Sequence, residues 1–251
     1  MRIQILIFTL IVAMISCSKD NNSSTNFQNG KSGSMARMVI VNNYMYVVDN
    51  QNLKTFDIST NNNPIEVDKT EVGFGIETIF PFANYLFIGS TDGMYIYDIS
   101  NPENPVSASS QHVEHFTACD PVVAYNNYAY VTLNTIVSSC GRSTALNEMQ
   151  IVDIQDIFHP FVVRTIPMAG PKGLGIDGNN LFVCDKNLGV IVFDISMPTS
   201  PNVIDTISGF TANDLITDNG NLLVVCNDGL RQFNYSNIDS ITLTSLMNLN
   251  D

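Results

Sequence analysis

The sequence predicts an all-β protein, a five-bladed β-propeller of four-stranded antiparallel blades. A repeat of about 41 residues runs along the chain, and inside it β-branched and aromatic residues alternate with a period of two. Each repeat ends one strand at Asp57, Asp98, Asp153 or Asp194, with Asn234 in the fifth place, at spacings of 41, 55, 41 and 40 residues. Four strands in a repeat of this length are typical of one propeller blade.

Every repeat has the same order of predicted strands. In the first, an inner strand covers 38–41, a second follows an Asn turn, a third ends at Asp-Ile-Ser, and an outer strand covers 65–70. An insertion, 134–147, explains the longest spacing. The turn into the outer strand is fixed by the prolines Pro64, Pro105, Pro160 and Pro201. The predicted blades are approximately 35–72, 73–113, 114–168, 169–207 and 208–251.

The recurring aspartates are predicted to be structural. A residue present in almost every blade performs a task that every blade needs. A short carboxylate at this position can accept backbone N–H groups of the turn that follows it. Catalysis or metal binding is the alternative role for Asp57, Asp98, Asp153 and Asp194.

The N-terminus is predicted to be a lipoprotein signal peptide, residues 1–16. Arg2 is followed by an apolar stretch, 3–15, that is short for a membrane-spanning helix. The stretch ends at Met14-Ile15-Ser16-Cys17, which resembles a bacterial lipobox and implies lipidation of Cys17. An ordinary cleaved signal with an incidental cysteine is the alternative.

Residues 17–34 are rich in Ser, Asn and Gly and are predicted to form a flexible tether. Lys19-Asp20 resembles the export tag of surface lipoproteins in Bacteroidetes-type bacteria. We therefore expect an outer-membrane lipoprotein of the bacterial cell envelope, periplasmic or surface-exposed. Its membrane contact would be made through the lipid anchor only.

Composition narrows the classes of partner. Hydrophobic residues make up 45% of the chain and charged residues 14%, which is typical of a globular protein. The formal net charge is −13, so phosphate backbones are repelled and no nucleic-acid partner is expected. No EF-hand loop, P-loop, GxSxG or HExxH motif is present, so no cofactor or metal is predicted.

The third strands and their turns resemble the LVIVD repeat family. The nearest matches are Ile151-Val152-Asp153 and Val192-Phe193-Asp194, and in the repeats Asp-Ile-Ser is followed by spaced prolines. The resemblance covers roughly residues 35–249. It implies a propeller on a bacterial cell surface or in the periplasm and implies little about chemistry.

The cysteines suggest one disulfide. Cys119 opens the predicted inner strand of blade three, and Cys140 lies in the insertion of the same blade. In a propeller those two loops share a face, and an exported protein meets an oxidising compartment, so a Cys119–Cys140 disulfide is expected. Cys184 and Cys226, in second strands of adjacent blades, are predicted to be free buried thiols.

Binding is predicted where the blades differ most, in the loops that enter the inner strands. These loops ring one mouth of the central channel, and their charges and aromatic rings suit a sugar or a peptide. Solvated loop residues are the alternative. The candidates are Arg37, Phe74, Glu77, His115, Phe116, Asp120, Lys172, Phe210 and Asp214. His112 and His115 lack an identifiable third ligand, so they are not interpreted as a metal site.

The favoured function is a binding or interaction module for a protein or glycan partner. A glycoside-active enzyme is an alternative, and it would need two carboxylates about 5–10 Å apart at the channel, drawn from Glu77, Asp120 and Asp214. A purely structural envelope component is the third possibility. The sequence leaves the closure of the ring open, and side-chain packing between blades one and five alone is one possibility.

Overall fold

The fold is an all-β propeller of five antiparallel blades, as the repeat predicts. A computed structural model describes residues 33–60, 63–91, 93–108, 113–114, 121–134 and 147–249, with only the backbone given for 113–114. Within these residues every regular element is a β-strand, in five separate sheets. Among them there is also no helix long and apolar enough to span a membrane.

Each blade contains an inner, a second, a third and an outer strand, hydrogen-bonded in chain order. The inner strands are β1 (Met38–Val41), β5 (Ile76–Phe82), β10 (Val122–Tyr125), β14 (Pro171–Asp177) and β18 (Ala212–Asp218). The second strands are β2 (Tyr44–Val48), β6 (Tyr85–Ser90), β11 (Tyr128–Asn134), β15 (Asn180–Asp185) and β19 (Asn221–Cys226).

The third strands are β3 (Asn52–Asp57), β7 (Gly93–Asp98), β12 (Asn147–Asp153), β16 (Gly189–Asp194) and β20 (Gly229–Asn234). The outer strands are β4 (Ile65–Glu71), β13 (Phe161–Pro167), β17 (Asn202–Ile207) and β21 (Thr242–Asn248). Blade two differs, since its outer position is taken by two short strands, β8 (Val106–Ser107) and β9 (Val113–Glu114), which both pair with β7.

The turn that joins each inner strand to its second strand requires a left-handed residue. Two-residue hairpin turns that match strand twist need positive φ, which Asn and Gly adopt at low cost. Asn42, Asn126 and Asn219 have φ between 48° and 53°, and Gly178 has φ of 56°. In blade two the same position is held by Ala83, with φ of 50°.

The recurring aspartates accept backbone N–H groups two residues further on. The donors to Asp57, Asp98, Asp153 and Asp194 lie at 2.6–2.8 Å from a carboxylate oxygen. Asn234 accepts from the N–H of Ser236 at 3.1 Å, so the amide replaces the carboxylate in blade five. Side chain and turn therefore form one local unit that ends the third strand.

Four clusters of buried hydrophobic residues fill the four interfaces between successive blades. No such cluster of described residues joins blade five to blade one. Met38 on β1 remains 50% exposed, and Val225 on β19 remains 39% exposed, because both lie on faces turned away from these clusters. The interface between blades five and one therefore leaves more apolar side-chain surface exposed than the other four interfaces do.

The segment before β1 makes the contacts that close the ring. Ser34 is buried, and its Oγ accepts the backbone N–H of Leu174 at 2.7 Å and donates to Asp214 Oδ1 at 3.4 Å. Blades one, four and five thus meet at one hydroxyl. The contact between blades one and five is thus a side-chain contact, with no paired strands between these blades among the described residues. Ser34, assigned to the tether from the sequence, is packed against the propeller.

Several sequence predictions fall outside the described residues. These are the leader and tether up to residue 32 with Cys17, the Cys119–Cys140 disulfide, the insertion at 135–146, and His112, His115, Phe116 and Asp120. Cys184 and Cys226 are both free and buried in the cluster between blades four and five.

Candidate functional site

A cavity of about 160 Å³ opens at the mouth of the channel where the inner strands begin. All five blades contribute to its lining, which consists of Met35, Glu77, Thr78, Pro121, Asn134, Pro171, Lys172 and Asn213. Its volume matches about five water molecules. The cavity is therefore the size of a small end group rather than of a large ligand.

Irregularities at the start of three inner strands place polar residues at this cavity. The pairing register shifts between Ile76 and Thr78, between Pro171 and Leu174, and between Ala212 and Asp214. The residues inside these shifts include Glu77, Lys172 and Asn213. A bulge adds an unpaired residue and redirects its side chain, so all three are released from the regular alternation of the sheet.

Glu77 is the carboxylate of the cavity. It is half-buried, and no described residue forms a hydrogen bond or close ion pair with it. Burial raises the pKa of Glu77, and the positive charge of Arg37 partly opposes this shift. A carboxylate with unused acceptor positions is thus presented to whatever fills the cavity.

Lys172 provides the positive charge of the cavity. Its Nζ donates to Asn213 Oδ1, and Asn213 Nδ2 donates in turn to Asn227 Oδ1 at 2.9 Å. Burial lowers the pKa of Lys172, and the charge of Lys186 lowers it further. Its backbone oxygen accepts the Thr132 hydroxyl at 2.5 Å, which fixes the strand beside the ammonium group.

Asn134 and Pro171 hold blades three and four together at the same rim. Asn134 Nδ2 donates to the backbone oxygen of Pro171 at 2.8 Å. Met35, Asn134 and Asn213 are not among the sequence candidates, which are charged or aromatic residues. Position is the signal for two of them, since Met35 and Asn213 lie where the chain enters an inner strand. Asn134 ends a second strand and has no such signal.

Asp214 is not part of the cavity lining, which corrects its assignment as a mouth residue. Its carboxylate lies between Gly33 and Gly173, where an added Cβ at either glycine would overlap it. Burial raises the pKa of Asp214 to about 6, although hydrogen bonds from Leu215 and Met35 N–H and from Ser34 oppose the shift. Asp214 therefore serves the closure of the ring.

Two aromatic candidates also lie away from the cavity. Phe210 packs against the core between blades four and five, stacked on Phe233 at 5.8 Å between ring centroids. Phe74 is 67% exposed and does not line the cavity. Arg37 acts on the site through its charge near Glu77, without being a lining residue.

The described residues contain no group of three His, Cys, Asp or Glu side chains that could hold a metal ion. The chemistry that the cavity offers is recognition: one acceptor carboxylate, one ammonium group and side-chain amides, set against the apolar surfaces of Met35, Pro121 and Pro171. Such a combination orients a small polar group by hydrogen bonds while its apolar face packs on the wall.

The chain carries LVIVD repeats. The LVIVD repeat model matches residues 32–71, 82–112 and 172–207, which lie in blades one, two and four. The chain is thus a five-bladed propeller in which three blades match the LVIVD repeat model. No curated protein matches the chain.

The similar solved structures are β-propeller proteins. A Lactobacillus plantarum protein is 13% identical over 83% of this chain, with a TM-score of 0.65. The periplasmic gluconolactonase of Pseudomonas aeruginosa is 14% identical over 82%, with a TM-score of 0.63. Apo AztD from Citrobacter koseri is 12% identical over 86%, with a TM-score of 0.58. The chain spans 73%, 67% and 60% of their lengths, and the likeness concerns the fold alone.

Proposed function

We propose that this protein is a cell-envelope lipoprotein whose propeller binds the polar end of a glycan at the channel mouth. The observation that carries the proposal is the 160 Å³ cavity built by all five blades around Glu77, a carboxylate without a hydrogen bond from any described residue. An unused acceptor at a shared cavity is a position where ligand hydroxyl groups gain most.

The lining chemistry favours a hydroxylated ligand. Sugar hydroxyls donate to carboxylates and accept from ammonium and amide groups, and Glu77, Lys172 and Asn213 supply these functions. The apolar surfaces of Met35 and the two prolines suit the C–H face of a sugar ring. The net charge of −13 disfavours polyanionic chains, so neutral or basic glycans are expected.

The envelope location rests on the N-terminal sequence. The apolar stretch, the lipobox-like Met14–Cys17 segment and the polar residues after it support a lipid anchor followed by a tether. Lipidation of Cys17 would place the propeller at the membrane surface with residues 18–32 as a spacer. A tethered receptor for glycans is consistent with this arrangement.

The glycoside-active alternative receives less support. It needs a pair of carboxylates at the channel, and Asp214 is already engaged by Ser34 and by backbone N–H groups. In the described part of the lining, Glu77 is the one carboxylate. The Pseudomonas aeruginosa neighbour is a gluconolactonase, but at 14% identity its activity is not transferred.

A glycan-array screen of the purified protein tests the proposal, with Glu77→Gln as the variant. Gln keeps the size of the side chain and removes the charge, so binding should weaken about tenfold or more, the usual worth of a hydrogen bond to a charged group. Glu66→Gln is the matched control, because Glu66 is exposed on the outer strand of blade one.

Binding that survives in Glu66→Gln and falls in Glu77→Gln supports a glycan site at the mouth. If the wild-type protein binds no glycan, or if Glu77→Gln binds as well as wild type, the proposed ligand class is wrong.

A further inference from the structure

A second cavity, of about 410 Å³, lies between blades two and three on the face opposite the mouth. We call it the turn groove, and it is lined by Phe82, Ala83, Tyr85, Asn126, Ile154, Gln155, Asp156, Ile157 and Phe158. Its volume falls within the range of about 300–1,000 Å³ that is usual for ligand pockets. Nothing in the proposed glycan site uses it.

The preceding pair of blades shows one way in which the equivalent place is filled. Tyr44 opens the second strand of blade one, and its hydroxyl donates to Glu103 Oε1, in the turn of blade two, at 2.9 Å. Tyr85 and Phe158 hold the equivalent positions one blade later. The carboxylate is replaced by an aromatic ring that is 56% exposed, and the Tyr85 hydroxyl has no partner among the described residues.

Phe82 and Asp156 of the turn groove are each held by a neighbouring group. Phe82 packs edge-on against Phe87, with ring centroids 6.3 Å apart. The Asp156 carboxylate accepts the backbone N–H of Phe158 at 3.0 Å, and its other oxygen lies 2.8 Å from His159 Nδ1. The groove therefore presents a carboxylate that is oriented by its own turn, beside aromatic rings.

In blade five, a carboxylate and an aromatic ring together bind an arginine side chain. The guanidinium of Arg231 lies 4.8 Å above the ring of Phe210 and donates to both oxygens of Asp228, at 2.5 and 2.8 Å. Carboxylate and ring together bind the planar cation by charge, hydrogen bonds and stacking. The lining of the turn groove has the carboxylate and the rings but contains neither Arg nor Lys.

We propose that the turn groove binds an arginine side chain of a protein partner. The guanidinium stacks on Phe158 or Tyr85 and donates to Asp156, while the side-chain amides of Asn126 and Gln155 line the rest of the groove. The net charge of −13 complements a basic partner surface and steers its approach. The inference concerns a different face and a different class of ligand from the proposed glycan site.

Calorimetric titration with three N-acetylated, C-amidated tripeptides tests the proposal: Gly-Arg-Gly, Gly-Lys-Gly and Gly-citrulline-Gly. Citrulline keeps the shape of arginine and removes its charge. The protein variants are Asp156→Asn and Phe158→Ala. Blade five already carries Asn237 at the position of Asp156, where it accepts the backbone N–H of Asp239, so the Asn variant should keep the turn.

The expected result is saturable binding of the arginine peptide that weakens about tenfold in each variant. The matched control is Met197→Ala, because Met197 occupies the position of Asp156 in the turn of blade four and is exposed. It should bind like wild type. The citrulline peptide should not bind, and the lysine peptide should bind less tightly.

Equal binding by Asp156→Asn, Phe158→Ala and wild type would overturn the proposal, as would the absence of saturable binding. Retained affinity for the citrulline peptide would also overturn it, since the charge would then contribute nothing. Failure here leaves the glycan site untouched, because the two cavities share no residue.

Discussion

At the scale of single residues, Asp214 shows how an interior carboxylate can serve closure rather than recognition. It lies beside the mouth cavity but faces the interface between blades five and one, which we call the seam. There Ser34, Gly33 and Gly173 surround it. Its neighbour Asn213 is the residue that reaches the cavity. The register shift at this point decides which of the two adjacent side chains meets a ligand.

The raised pKa of Asp214 gives stability a definite pH dependence. In the unfolded chain the carboxyl has a pKa near 3.9, and in the fold about 6. Between these values the folded state holds a proton that the unfolded state lacks, so this contribution is complete below about pH 4. The contribution is lost as the pH rises from about 4 through 6. Above that range, the free energy of unfolding is lower by up to about 3 kcal/mol.

Asp214→Asn removes the ionisation and should remove this loss. The free energy of unfolding, measured by urea denaturation, should decrease less from pH 4 to pH 7.5 in the variant than in wild type. Asp239→Asn, on the surface of blade five, is the control and should follow wild type. An identical pH dependence of stability in Asp214→Asn and wild type would contradict the assignment of this loss to the ionisation of Asp214.

At the scale of elements, the hairpin turns show how far a repeat can be read from sequence. The strand bounds follow from alternation, and the predicted inner strand at 38–41 agrees with β1. The five turn positions align because their φ angles agree, although one of them is an alanine. Ala83 is therefore a strained member of an otherwise consistent set.

Replacing Ala83 by Asn should stabilise the protein by about 0.5–1 kcal/mol, since Asn tolerates the left-handed conformation better. The reciprocal change, Asn126→Ala, puts alanine into the same conformation in blade three and should destabilise by a similar amount. Urea midpoints at constant m-value measure both effects. If both substitutions stabilise or both destabilise the protein, side-chain contacts rather than φ determine stability at these turns.

The candidate site was less predictable than the strands. Glu77 and Lys172 could be named because a charged residue in an entering loop is conspicuous in the sequence. The sequence favours Asp214 over Asn213, because a bulge changes the direction of side chains by one residue and is not visible in the alternation of apolar and polar residues. The turn groove was missed because it depends on a contact between blades, where Phe158 replaces a glutamate that pairs with a tyrosine.

At the scale of the whole molecule, the ring is closed unevenly. Four interfaces are filled by buried apolar clusters, whereas blade five meets the segment before β1 through the Ser34–Asp214 hydrogen bond. The same Ser34 hydroxyl also accepts the N–H of Leu174 in blade four. No strand of blade one pairs with a strand of blade five among the described residues. The propeller thus has one weak seam, and it lies beside the mouth cavity.

Ser34→Ala should open this seam. The substitution leaves the buried N–H of Leu174 without its acceptor, which costs about 1–3 kcal/mol. Hydrogen exchange should accelerate at Leu174 and in the inner strands of blades one and five more than elsewhere. Ser245→Ala, on the exposed outer strand of blade five, is the control. Uniform acceleration across all blades would instead indicate general destabilisation without a seam.

The position of Ser34 has a mechanical consequence. Ser34, whose hydroxyl holds the ring together, lies four residues before the first strand of blade one. Among the described residues of blade one, a pull from the N-terminal side would therefore load that hydrogen bond before the β1–β2 ladder, which begins at Met38. If the preceding residues anchor the protein to a membrane, tension on that anchor would break the Ser34 hydrogen bonds and separate blades one and five at the mouth.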